Sequence, residues 1–359
     1  KTAYEISACL VGSEMCIRDR SDPGCKTISQ LRVECRGISL AARVHGQVDE
    51  LNKKDSSNGK PFWELKLRDA GDVLVLRAWS DTDAFRSCVE LQRGECVEIE
   101  GEFGINGAFG LDAKRWRLRV LNNEETQALF VGGEAELAAV EKDYADVVQF
   151  VSEIRDPRLM SLCQLFLEDF GTRFKRAAAA RLNHHAHRGG LLRHTGQMMR
   201  AASALCVSYP TLNRDLLLTG VLFHDCGKLW EVCPPEAGFE IPRELRGELL
   251  GHISIGIELV NALWRKLPLE EWREDVPVSE DVRLHLLHLI AAHHGELQYG
   301  SPVEPKTPEA IALNMIDNLD ARLEMIAAAY IKQPEIAPGI HERVRPLNTS
   351  PVKPLLICG

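Results

Sequence analysis

The sequence predicts a multidomain protein. An all-β barrel over residues 36–121 is followed by an all-α domain over 171–332, and a helical connector at 122–170 joins them. Three observations predict this. Residues 36–121 carry short alternating apolar runs, whereas the chain beyond them carries helical periodicity. Histidines and aspartates recur in the helical part at positions that suit one shared site. The length of 359 residues exceeds one typical domain, and a hydrophobic content of 45% can fill two cores.

The β part has five alternating runs, at 41–51, 62–67, 72–79, 95–103 and 115–121. Turn signals separate them, notably Asp55-Ser56-Ser57-Asn58-Gly59 and Ala70-Gly71-Asp72. A helical run at 82–92 falls between the third and fourth strands. Five strands with a helix after the third match the OB-fold topology. Alternation puts Trp63, Leu65 and Leu67 on the core face and Phe62, Glu64, Lys66 and Arg68 on the outer face. An exposed aromatic beside cations suits base stacking and backbone tracking on single strands, so Phe62, Lys66 and Arg68 are candidate substrate contacts. Arg115, Arg117 and Arg119 form a second basic strand, with Arg115 and Arg117 as further candidates. Trp79 and Trp116 read as core. Lys and Arg number 14 against 14 Asp and Glu over 36–120. Any affinity for a polyanion therefore has to come from local patches rather than net charge.

The connector reads as helices at 134–154 and 159–170, broken at Asp156-Pro157. The helical domain centres on Gly220-Val221-Leu222-Phe223-His224-Asp225-Cys226-Gly227-Lys228. An imidazole and a carboxylate side by side at the end of an apolar helix are costly unless something pairs them, and a divalent metal is the natural partner. His194, His252, His293, His294 and Asp317 supply further ligand types. Any one of these histidines alone reads as a packed or surface residue; the joint pattern does not. Imidazole and carboxylate without thiolate suit Mn, Fe, Co, Ni or Mg better than a structural zinc site. His285 and His288 read as structural, and His45 and His341 as surface. No Asp or Glu stands between Asp169 and Asp215, while Arg173, Lys175, Arg176, Arg181, Arg188, Arg193, Arg200 and Arg214 do. In a chain of net charge −9 this predicts a positive lip for an anionic substrate.

The ordered set His194, His224-Asp225, His252, His293-His294 and Asp317 resembles the HD-domain metal-dependent phosphohydrolases, in the subset that holds two metals. The run from His184-His185 through Gly189-Gly190-Leu191-Leu192-Arg193-His194-Thr195 is similar to the YhaM-type 3′→5′ exoribonucleases, as is Phe62 to Gly71 in the β part. The resemblance implies two divalent ions, Mn²⁺ first among the alternatives. His194, His224, Asp225 and Asp317 would hold one; His252, His293 and His294 would hold the other, sharing Asp225. Activated water between the ions would attack phosphorus. Asp225 and Lys228 are the implied catalytic residues, with Lys228 facing the substrate phosphate. His184, His185 and Arg188 are implied substrate contacts. The implied activity is stepwise release of nucleoside monophosphates from single-stranded RNA, with single-stranded DNA and self-association left open. Two alternatives are a phosphohydrolase of cyclic nucleotides, cyclic dinucleotides or nucleoside triphosphates, and a non-catalytic nucleic-acid-binding regulator.

The 11 scattered cysteines fit a reducing cytoplasm rather than a disulfide framework. No apolar run approaches the about 20 residues a bilayer crossing needs. Residues 1–20 resemble a translated sequencing adapter and are set aside, with 21–35 as a lead segment. The Pro-rich tail at 333–359 is expected to be loosely ordered.

Overall fold

The computed structural model describes residues 24–106, 110–181, 185–345 and 347–355. The adapter-like segment 1–20 and His184 lie outside them. Strand β1 (Cys25–Lys26) lies parallel to β2, and helix α1 (Ile28–Glu34) follows, capped reciprocally by Thr27 and Gln30. Then come β2 (Leu40–Asp55), β3 (Pro61–Arg68), β4 (Val73–Trp79), α2 (Asp83–Ser87), β5 (Cys96–Asn106) and β6 (Gly110–Val120). The sheet order is β4-β3-β2-β5-β6. The 16-residue β2 makes this order possible: Leu40–Gln47 pair with β5 and Gln47–Asp55 with β3, bending at a bulge between Val48 and Glu50.

The five expected strands are present, but β4 and β6 do not pair and the sheet is not closed into a barrel. Helix α2 packs against both of these strands, burying Ala84 and Cys88 in the sheet's core, so side chains rather than a ladder fill the seam. This helix is also shorter than the 82–92 expected.

Alternation along β4 turns Leu74, Leu76 and Ala78 inward. Trp79 therefore faces outward, contrary to the core placement expected for it, whereas Trp116 is buried in the core. Phe62 also differs from expectation. Its register partner is Trp79, the ring centroids lie 4.8 Å apart, and Phe62 is buried instead of exposed.

Helices α3 (Asn123–Val131), α4 (Glu134–Ser152) and α5 (Pro157–Phe174) occupy the expected connector. Asp156 caps α5 by accepting from the Arg158 and Leu159 N–H groups, and Pro157 begins it. These helices do more than connect. Val147, Leu162 and Phe166 share one core with Leu218 and Phe223. That core is completed by α6 (Gly190–Ser208), α7 (Arg214–Phe223), α8 (Leu245–Trp264), α9 (Ser279–Ala292) and α10 (Pro308–Lys332).

The β part touches the helical part at the 234–241 loop. Phe239 packs edge-on against Phe130, and its N–H donates to Gln47 Oε1 at 2.9 Å. Part of the tail forms regular structure among the described residues. Strands β7 (Glu335–Ala337) and β8 (Ile340–His341) pair, Tyr330 Oη donates to Val352 O at 2.7 Å, and His341 is buried rather than on the surface. No described helix is long and apolar enough to cross a membrane, and no disulfide occurs among the described residues.

Candidate metal centre

Helix α7 is buried from Leu216 to Phe223, and His224 is its C-cap. Its end delivers His224 and Asp225 into the interior, and a short 3-10 turn, Cys226–Trp230, carries the chain away. Helix α8 must approach this turn closely. A Cβ on Gly227 would lie 2.0 Å from the His252 carbonyl oxygen, so only glycine fits there. Helix α8 is kinked at Gly251, whose φ of 68° and ψ of 160° re-aim the helix just before His252. His194 comes from α6, His293 and His294 from the end of α9, and Asp317 from α10.

Four of the other six candidate ligands lie directly against Asp225. Its Oδ2 lies 3.2 Å from His224 Nε2 and 3.9 Å from His194 Nε2. Its Oδ1 lies 3.6 Å from both His252 Nε2 and His293 Nε2. On the first side, Asp317 Oδ1 stands 3.3 Å from His194 Nε2. On the second, His252, His293 and His294 bring ligand atoms within 4.8 Å of one another. The carboxylate thus faces two histidine groups with different oxygens, the arrangement a bridging ligand needs.

Each of the five histidines holds Nδ1 against an oxygen: His194 on Asp320, His224 on Val221 O, His252 on Glu231, His293 on Ile290 O and His294 on Tyr299 O. That turns Nε2 toward the centre as the atom each ring could offer an ion. Asp225 Oδ1, His252 Nε2 and His293 Nε2 are buried without a hydrogen-bond partner. Three such atoms pointing at one another are expensive in a protein interior, and a cation between them removes the cost. The donor set therefore fits divalent ions.

The charges agree. Burial works against the charged form of Asp225, but Lys228 and the His224 imidazole overcome it and hold the carboxyl well below its usual range. Burial opposes a charge on His194 too, yet Asp317 and Asp320 raise it to about 9, so an ion binding there would displace a proton from this ring. Burial lowers His293 and His294, which keeps both neutral and able to ligate. Lys228 Nζ sits 2.6 Å from Asp225 Oδ2, so its charge is engaged with the central carboxylate.

The other described candidates are engaged with protein groups. His185, expected to contact substrate, is buried with Nε2 2.9 Å from Asp320 Oδ2. Arg188 donates to the carbonyls of Pro235, Glu236 and Gly238 and braces the 234–241 loop. The positive lip is largely neutralised by acids from other segments: Arg173 pairs with Glu244, Lys175 with Glu141, Arg176 with Glu236, and Arg200 with Asp146. On the sheet, Lys66 bridges Asp49 and Glu50, Arg68 meets Asp49, Arg115 meets Glu102 and Arg117 meets Glu100.

Three residues at the centre went unread in the sequence. Asp320 supports His194, Glu231 supports His252, and Asn314 Nδ2 donates to His293 O at 2.8 Å. The available signal was spacing: Asp320 stands three residues after Asp317 and Glu231 three after Lys228, which places each beside a candidate on one face of its turn.

The HD domain family model matches residues 191–322, the span that holds all seven candidate ligands. A 3'-5' exoribonuclease YhaM from Bacillus velezensis is 31% identical over 329 residues, covering 89% of this chain and 98% of that protein. A 3'-5' exoribonuclease YhaM from a Geobacillus species is 30% identical over 317 residues, 87% of this chain and 91% of that protein. Similarity of this extent runs through the sheet as well as the helices, and the chain belongs to the YhaM 3'-5' exoribonuclease family of HD-domain proteins.

Proposed function

We propose that the protein is a metal-dependent 3′→5′ exoribonuclease of the cytoplasm, acting on single-stranded RNA and using two divalent ions, with Mn²⁺ the first choice. The observation that carries this reading is the set of unpartnered buried atoms, Asp225 Oδ1, His252 Nε2 and His293 Nε2, beside a second group formed by His194, His224 and Asp225, with Asp317 against His194. Its direction and substrate follow those of the 3'-5' exoribonuclease relatives. Divalent ions held there would activate water and neutralise charge on the phosphodiester. The residues do the rest. Asp225 offers one oxygen to each group. Its carboxylate anchors Lys228, whose ammonium would pass to the phosphoryl oxygens as substrate enters. Asp320 and Glu231 keep the His194 and His252 rings turned inward.

The strand order and the position of α2 support an OB-fold with one open seam, and we assign the sheet to holding single-stranded nucleic acid. Because Lys66, Arg68, Arg115 and Arg117 are paired with carboxylates, the sheet would hold the strand weakly and let it advance. Protein from residue 21 onward, supplied with Mn²⁺ and a 5′-labelled single-stranded RNA, should give a ladder shortening from the 3′ end. EDTA or Asp225→Asn should abolish it. Intact RNA with metal bound would reject the exonuclease reading; equal shortening of single-stranded DNA would reject RNA preference.

A further inference from the structure

The five histidines of the centre have supports of two kinds. His224, His293 and His294 rest Nδ1 on backbone carbonyls. His194 and His252 rest theirs on carboxylates, Asp320 Oδ2 at 2.7 Å and Glu231 Oε2 at 2.9 Å. These two histidines face different oxygens of Asp225: His194 lies nearest Oδ2 and His252 nearest Oδ1. Each half of the centre therefore contains one carboxylate-backed histidine.

The two supports are independent of each other. Asp320 lies on α10, and its Oδ2 also meets His185 Nε2 at 2.9 Å, so the carboxylate is held from two sides. Glu231 closes the 3-10 turn after Asp225, and its Oε2 also accepts the His252 backbone N–H at 3.1 Å. A carboxylate behind an imidazole fixes its tautomer and ring angle and raises the basicity of the ligating nitrogen more than a carbonyl does.

We propose that Asp320 and Glu231 are positioning residues that set the affinity of the two metal positions separately, Asp320 through His194 and Glu231 through His252. His185 belongs to the first of these supports as the brace of Asp320. The inference rests on the two-ion reading above.

The test is a calorimetric titration of metal-free full-length protein with Mn²⁺. Wild type should show two sites. Asp320→Ala and Glu231→Ala should each keep one site at wild-type affinity and weaken the other by about 10–100-fold. In an Asp317→Ala background, Glu231→Ala should weaken the remaining site while Asp320→Ala leaves it unchanged. Weakening of both sites by either single variant, or of neither, overturns the proposal while the two-ion reading stands. A wild type that takes up one ion overturns both. Should Asp320→Ala fail to fold, His185→Gln serves in its place, and an unchanged pair of affinities there equally overturns the role given to this support.

Discussion

Asp225 Oδ1 lies 3.6 Å from His293 Nε2, and neither atom has a hydrogen-bond partner. A buried carboxylate oxygen and a buried imidazole nitrogen at that separation are too far apart to bond and too close to water-free surroundings to be neutral in cost. The proposed two-ion centre accounts for the pair, since both atoms would ligate one ion. The same Asp225 oxygen faces His252, so this single carboxylate decides whether the second group of histidines is a metal site or a destabilised pocket.

Asp225→Asn should therefore remove activity by at least about 1,000-fold, since it removes both the shared ligand and the anchor of Lys228. Secondary structure by circular dichroism should be retained. A variant with more than a tenth of wild-type kcat would contradict the role given to Asp225.

Gly227→Ala places a methyl group 2.0 Å from the His252 carbonyl. Because the obstacle is backbone, α8 has to shift, costing roughly 1–3 kcal/mol by analogy with overpacked cores. Denaturant unfolding measures this, and Mn²⁺ affinity should fall with it because His252 moves. Wild-type stability and metal binding would show that α8 approaches less closely.

Asp156 and Arg158 form an ion pair at the start of α5, with the Arg158 side chain buried and a second bond to Pro277 O at 2.6 Å. Arg158→Leu leaves Asp156 without its charge partner and should cost on the order of 3 kcal/mol. Burial tends to raise Asp156, but Arg158 outweighs it and the carboxyl is lowered from 3.8. The folded value lies below the unfolded one, so the pair stabilises fully above about pH 4 and loses its contribution as pH falls further. Unfolding of both proteins between pH 3 and 7 checks this: their stability gap should narrow only at the acid end.

Removing the acids opposite the basic strand should strengthen RNA binding. Glu100→Gln with Glu102→Gln frees Arg117 and Arg115. Each freed cation that meets a phosphate should steepen the salt dependence of log K by roughly 0.7 for single strands. Fluorescence anisotropy with labelled single-stranded RNA measures affinity and slope together. An unchanged slope would place the strand away from β6.

The sequence made the centre legible because ligand chemistry is written in residue type. His, Asp and their order announce a metal site wherever the helices happen to run. The supports were harder to see, because Asp320 or Glu231 on a helical face reads as a solvated acid until His194 or His252 is placed beside it. The sheet was legible in strand number and in the helix before β5, since alternation and turn residues are local. Its surface was not. Alternation showed which way Phe62 points, but only register reveals that Trp79 covers it. Likewise, the charges of Arg115 and Arg117 are offset by Glu102 and Glu100, which lie 13 and 17 positions earlier on the neighbouring strand β5. The acid-free run from 170 to 214 misled for the same reason, since its neutralising acids arrive from other segments.

The most direct test of the central claim is reconstitution of metal-free protein with counted equivalents of Mn²⁺, following RNA shortening at each step. A centre built around both oxygens of Asp225 predicts that activity rises until two equivalents are bound and then levels. Full activity at one equivalent, or activity indifferent to metal, would contradict it.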